Sequence, residues 1–178
     1  MLVVSAIDRR VKCVVSQVPA ISGSQGFRRF VRPDFMGGLE AHSHADRLAG
    51  AAGEAPAMLA VVDAASVAPS ALPRADAYAW FTETAASRAP SWRNEVTLRT
   101  LEYGLGYEPG SYVGLISPTP LLLTVAMKDQ LAVSDLAIAA FEPKRLVLLP
   151  GGHFDAYAAE FAQSSGPATE WFRTHLQG

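Results

Sequence analysis

The sequence predicts an α/β protein built on a mostly parallel sheet, and three observations carry that prediction. Two apolar runs, Leu121-Leu122-Leu123-Thr124-Val125-Ala126 and Arg145-Leu146-Val147-Leu148-Leu149, are near-continuous in the manner of strands buried on both faces. Residues 133–141, between them, repeat their apolar side chains at helical spacing. Each run also stops at a polar turn, Met127-Lys128-Asp129-Gln130 after the first and Pro150-Gly151-Gly152-His153 after the second. Strand, helix, strand is the pattern of a right-handed βαβ unit, whose two strands are parallel.

Parallel strands give Asp129 and His153 a common end of the sheet. Functional groups in open α/β sheets gather outside the carboxyl ends of the strands. The Gly151-Gly152 pair lets the backbone turn sharply and leaves room beside the imidazole. A carboxylate next to an imidazole fixes its tautomer and stabilises the imidazolium formed when the ring accepts a proton. His153 is therefore the candidate catalytic base and Asp129 its orienting acid. Each has a plainer reading alone, His153 as a turn residue and Asp129 as a solvated loop acid, and the pairing favours the catalytic one.

The other elements follow in order. A first helix and a strand at 11–18 occupy residues 1–18, and the strand pair with its helices occupies 116–178. Between them, 19–115 shows one short strand pattern at 58–62 and helical candidates at 39–52, 70–88 and 92–103, punctuated by Pro69, Pro73, Pro90 and Gly104. An insert of this length between two sheet strands predicts a mostly helical lid that supplies an apolar pocket and excludes water. Trp80, Phe81, Trp92, Tyr103, Tyr107 and Tyr112 are its aromatic candidates, with packing of the lid as their plainer role. Trp80, Trp92, Tyr103 and, beside His153, Phe154 are the candidate substrate contacts. A last helix at 168–176 is expected to turn Trp171, Phe172 and Leu176 toward the core, with His175 as a surface or helix-dipole partner.

Acid and histidine, each after a parallel strand and in that chain order, resemble the corresponding parts of the α/β-hydrolase superfamily. Asp8-Arg9-Arg10-Val11-Lys12-Cys13-Val14-Val15-Ser16-Gln17-Val18-Pro19, Trp92-Arg93-Asn94-Glu95-Val96-Thr97 and Leu149-Pro150-Gly151-Gly152-His153-Phe154-Asp155-Ala156-Tyr157 are similar to a bacterial and fungal branch. Its members resemble dienelactone hydrolases and the acyl-transferring hydrolases of polyketide pathways. The resemblance runs over the whole chain but over only the C-terminal part of the family's domain. It implies a partial α/β-hydrolase fold, a small-molecule substrate with an ester, thioester or related acyl bond, and no cofactor.

The family's nucleophile elbow, Gly-x-Ser-x-Gly, does not occur in this sequence. The resemblance places it just upstream of a helix similar to Met1-Leu2-Val3-Val4-Ser5-Ala6-Ile7, so the chain is expected to hold the acid and base of a triad without the nucleophile or the oxyanion-hole donors. Ser22-Gly23-Ser24-Gln25-Gly26 comes nearest, but Pro19-Ala20-Ile21 separates Ser24 from its strand, and Ser22 or Ser24 as the N-cap of a helix explains the segment better. The alternative to an incomplete enzyme is a non-catalytic pseudo-hydrolase serving as a binding or interaction module. Strand 11–18, lacking the elbow strand as a neighbour, would expose an apolar edge, which predicts a homodimer or a complex with the missing N-terminal half.

A metal site is the rival chemistry. His42-Ser43-His44-Ala45-Asp46 has ligand-like spacing for an extended chain, but its flanks read as helix, on which residues two apart diverge. No metal is expected there. Cys13, the single cysteine of the 178 residues, excludes an internal disulfide and reads as a small buried hydrophobe. Apolar residues make up 49% and charged residues 18%, with a formal net charge of −2. Arg28, Arg29 and Arg32 form no basic stripe, so no nucleic-acid partner is expected. No apolar run approaches a membrane span, and residues 1–7 lack the form of a secretory leader, so the expected location is cytoplasmic with no membrane partner.

Overall fold

A computed structural model describes residues 1–64, 69–140 and 145–176. Its strands are β1 Val14–Gln17, β2 Met58–Leu59, β3 Val96–Thr97, β4 Leu121–Ala126 and β5 Arg145–Leu149. Its α-helices are α1 Leu2–Ile7, α2 Gly23–Phe30, α3 Pro33–Ala51, α4 Ala75–Ser87, α5 Arg99–Gly106, α6 Ser134–Ala139 and α7 Phe161–Leu176. Short 3₁₀ turns lie at Pro109–Tyr112, Gly114–Ile116 and Phe154–Tyr157. The chain forms two compact units, a sheet unit of Met1–Phe30 with Tyr107–Gly178 and an inserted unit of Val31–Gly106. No helix among the described residues is long and apolar enough to cross a membrane.

In the sheet unit the strands lie in the order β1-β4-β5, all parallel. β4 is central and every one of its residues is buried, which is why its sequence is an uninterrupted apolar run rather than an alternating one. Leu121, Leu123 and Val125 join Leu2 and Ala6 of α1, Val14 of β1, Ala137 of α6 and Ile116 in one core cluster. Burying each such Leu contributes about 1.5–3 kcal/mol of transfer free energy. Alternate β4 residues face the other way, where Val18, Ala126, Leu149 and Ala156 cluster and where α7 lies against all three strands. Helix α6 falls inside the expected 133–141; residue 141 is outside the described residues.

β1 is shorter than the expected 11–18. At its end Val18 takes φ 39°, a left-handed conformation that a β-branched residue adopts only under strain and that stops the ladder. Before it, Asp8 accepts the Arg10 amide and guanidinium and closes a turn; the Arg10 partner holds the Asp8 carboxyl below the usual carboxylate range. Cys13 is buried just ahead of β1, and burial pushes its thiol up. Helix α2 begins at Gly23, and of the two expected caps it is Ser22 whose hydroxyl accepts the Gln25 amide. The returning chain is tied to the same place: the Gly23 amide donates to Tyr107 O at 2.7 Å, the Ser24 amide to Glu108 Oε1 at 2.9 Å and the Gly110 amide to Ile21 O at 2.8 Å. A Cβ on Gly110 would fall 2.9 Å from Ile21 O, so only glycine permits that approach.

Helix α7 corrects the sequence expectation twice. It starts at Phe161 and continues through Pro167, although Ser164-Ser165-Gly166-Pro167 reads as a break. Its buried position is Ser164, whereas Phe172 and Leu176 are exposed and Trp171 packs its ring on His175 at 4.3 Å. The expected apolar core face of 168–176 is therefore not the face that meets the sheet.

In the inserted unit, α3 and α4 match two helical candidates, with Pro73 ending the extended chain before α4. The third candidate, 92–103, is overturned in its first half: Val96 and Thr97, both β-branched, pair antiparallel with Leu59 and Met58, and helix α5 begins only at Arg99. Asn94 joins this ribbon by mimicking a backbone unit, its Oδ1 accepting the Val62 amide and its Nδ2 donating to Val62 O, both at 2.9 Å. Asp46, buried on α3, accepts the Ala57 amide at 2.7 Å and lies 3.5 Å from Arg99 Nε.

Candidate active site

Register puts Asp129 and His153 side by side. Ala126 of β4 pairs with Leu149 of β5, and the Met127 amide continues the ladder to Leu149 O at 2.7 Å, the Lys128 amide to Gly151 O at 2.8 Å. The two chains thus leave the sheet bonded to one another. Asp129 then turns back onto its own loop, its Oδ1 accepting the Leu131 and Ala132 amides, each at 2.8 Å. The other carboxylate oxygen, Oδ2, lies 2.8 Å from His153 Nδ1.

Burial makes that bond directional. The Asp129 side chain is 1% exposed and the His153 side chain 20%. A buried carboxylate is costly unless hydrogen-bonded, and here two amides and one imidazole N–H engage it. The carboxylate acceptor selects the Nδ1–H tautomer of His153 and leaves the Nε2 lone pair free to take a proton. Among the described residues Nε2 has no hydrogen-bond partner.

The glycine corner has a carboxylate clamp. The Gly152 amide donates to Asp155 Oδ2 at 2.7 Å and the Asp155 amide returns to Gly152 O, closing a turn around His153. A Cβ on Gly151 would stand 2.8 Å from Asp155 Cβ and 2.9 Å from Cγ, so the clamp requires glycine at 151. Phe154 and Tyr157 set their rings edgewise to the imidazole, at centroid distances of 5.0 and 6.0 Å. Burial, and then the Asp129 charge, push the Tyr157 phenol up, so it stays protonated at neutral pH.

The structure brings His153, Asp129 and Phe154 together. Trp80, Trp92 and Tyr103 belong to the inserted unit: Trp92 packs on Phe81 at 5.5 Å, Trp80 is half-buried on α4, and Tyr103 is 73% exposed on α5. Asp155 and Tyr157 had no role assigned to them in the sequence reading. Asp155 was legible in principle, since an Asp three residues after a glycine amide is a capping spacing; Tyr157 required the turn geometry. His42, His44 and Asp46 do lie on a helix, α3, where His42 Nδ1 donates to Gly38 O and Asp46 is committed to Ala57. Among the described residues no three His, Cys, Asp or Glu side chains group as metal ligands would.

The parallel three-stranded sheet with its flanking helices is shared with solved structures. The α/β hydrolase GrgF from Penicillium sp. sh18 superposes with a TM-score of 0.75 at 21% identity, over 99% of this chain and 60% of that one. DcsB, solved in complex with its substrate analogue, gives 0.76 at 24% identity with the same coverage. The chain carries part of an α/β-hydrolase fold. Among curated proteins, thiohydrolase aneE of Aspergillus aculeatus is 28% identical over 155 residues, 80% of this chain. The chain spans about half the length of that relative, 47%. No protein-family model matches the chain.

Proposed function

We propose that the chain supplies the acid and base of a hydrolase or acyltransferase acting on esters, thioesters or related acyl bonds. The observation that carries this reading is the 2.8 Å bond between buried Asp129 and His153 Nδ1. In it, His153 Nε2 takes the proton of a hydroxyl nucleophile as that oxygen attacks the acyl carbon; the proton then passes to the leaving alkoxide or thiolate, and water or another acceptor releases the acyl group. Asp129 stabilises the imidazolium throughout. The thiohydrolase relative favours thioesters. Phe154 is the proposed aromatic substrate contact of the sheet unit, and substrate selection, with Trp80, Trp92 and Tyr103, the proposed role of the inserted unit.

The nucleophile in this reading comes from outside the 178 residues. Among the described residues nothing pairs with the outer edge of β1: the Val14 and Val18 amides both serve β4, which leaves the backbone groups of Val15 and Gln17 turned outward. A concavity of about 260 Å³ lined by Leu2, Ser16, Gln17, Val18, Pro19 and Tyr107 adjoins that edge. A further strand there would complete the sheet. The absence of Gly-x-Ser-x-Gly from the sequence also favours a second reading, a non-catalytic module that keeps the pair as a relic.

A fluorophosphonate probe tests this. The chain by itself is expected to remain unlabelled, and labelling that disappears with Ser24→Ala would overturn the proposal. In a form of the protein that includes a Gly-x-Ser-x-Gly segment, His153→Gln and Asp129→Asn are each expected to lower kcat/KM on an acyl thioester by about 10³–10⁴. Undiminished turnover in His153→Gln would remove the histidine from the reaction.

A further inference from the structure

We propose that Gln17 and Ser164 are positioning residues for His153, acting together through the carbonyl of Ala156; the proposal rests on the reading of His153 as the base. Ala156 ends the first turn of chain after His153 and is fully buried. Its oxygen accepts two side-chain donors from distant parts of the sequence, Ser164 Oγ at 2.7 Å and Gln17 Nε2 at 3.1 Å. Gln17 Nε2 is also 2.9 Å from Ser164 Oγ.

The hydrogens balance. A primary amide has two protons on its nitrogen, one for Ala156 O and one for Ser164 Oγ; the Ser164 hydroxyl has one proton, for Ala156 O, with Phe161 O at 3.1 Å as its alternative. The result is a closed triangle of β1, the turn after His153, and α7. Ser164 is 2% exposed, so its hydroxyl bond to the Ala156 carbonyl is shielded from water. β1 is bonded to β4, and β4 leads into the Asp129 loop. One end of the triangle is thus anchored in the strand system that carries the acid, the other in the turn that carries the base.

Without the triangle, the His153 turn is held on its own side by the Asp155 clamp and by the Lys128 to Gly151 bond, both on the near side of the imidazole. Farther along, the Asp155 carbonyl accepts the Ala158 and Glu160 amides, bonds local to the turn and its exit toward α7, and Ala156 adds a small side chain to the cluster of Val18, Ala126 and Leu149. Two donors on the Ala156 carbonyl provide the directional restraint that a methyl group does not. Loss of either would let the turn rotate and lengthen the Nδ1 to Oδ2 bond.

The test is the proton in that bond. In proton NMR of the chain, His153 Nδ1–H is expected as a line downfield of the amides, assigned by its disappearance in Asp129→Asn and in His153→Gln. Gln17→Leu and Ser164→Ala are each expected to raise its exchange rate with water about five- to tenfold, while amide exchange in β4 is unchanged. Ser164→Thr, which keeps the hydroxyl, is expected to preserve the line, and Gln17→Met replaces Gln17→Leu should that variant not fold. An unaltered line in folded Gln17→Leu and Ser164→Ala, or β4 amides that loosen in step with it, overturns the positioning role and leaves the Asp129–His153 pair intact. A chain with no line sensitive to Asp129→Asn refutes the pair itself, and the positioning role with it.

Discussion

The sheet unit and the inserted unit are each stabilised internally by a different kind of force. In the sheet unit, β4 and its neighbours bury large aliphatic side chains on both faces, and both extended core clusters found among the described residues lie within this unit. The inserted unit fixes its ribbon with side chains that bond backbone, Asn94 to Val62 and Asp46 to Ala57, plus the Arg47–Glu102 ion pair. Non-directional burial tolerates much repacking and is strong in sum; single polar ties are directional and fail one at a time. The candidate site lies at the rim of the first kind of structure, where Asp129 and His153 can be held to a fixed distance.

Three changes probe that contrast, from the largest effect down. Leu123→Ala, at a fully buried β4 position, is expected to cost about 2–5 kcal/mol in urea unfolding, whereas Leu48→Ala on α3 shifts stability by about 0.5 kcal/mol or less; equal losses would end the distinction. Asn94→Ala removes both bonds to Val62 and is expected to cost about 1–3 kcal/mol, read as faster amide exchange at Val62 with β4 amides unaffected. Should the β4 amides accelerate equally, the two units unfold as one.

The smallest effect concerns pH. Hydrogen bonds from the Ser24 and Ser22 hydroxyls, then the Ser24 amide, hold the Glu108 carboxyl below the usual carboxylate range. A carboxyl lowered in the folded state contributes stability that is fully present above its unfolded pKa and is lost as pH falls through its folded pKa. Acid below the usual carboxylate range should therefore loosen the ties between 21–24 and 107–110. Glu108→Gln should flatten the acid limb of a thermal-melt profile by a few degrees and leave neutral pH nearly unaltered. A profile with the same acid limb in both proteins would show that Glu108 does not titrate against this segment.

What was readable in the sequence follows the same division. β4, β5, Asp129 and His153 stood out because a strand buried on both faces has an unbroken apolar signature and a parallel pair fixes which ends coincide. The ribbon strand at Val96-Thr97 did not, since two residues carry no periodicity and Asn94 acts through its side chain. Helix α7 was cut short because Pro167 reads as a breaker, and its buried Ser164 was overlooked because a serine among polar neighbours resembles a loop. The Gln17–Ser164 contact joins residues 147 positions apart and leaves no mark on either local sequence.

The bonds at Ile21–Ser24 and Tyr107–Gly110 have one more consequence. They join the start of α2, the last element of the sheet unit before the insert, to the segment on which the chain returns, so whatever length of polypeptide runs between begins and ends at a closed ring. The entropy of closing such a loop grows only logarithmically, about 0.6 kcal/mol for each doubling of length. Deletions, extensions or wholesale replacements within 31–106 therefore place little thermodynamic burden on the parallel strands, and the architecture is suited to exchanging one excursion for another while Asp129 and His153 stay where they are.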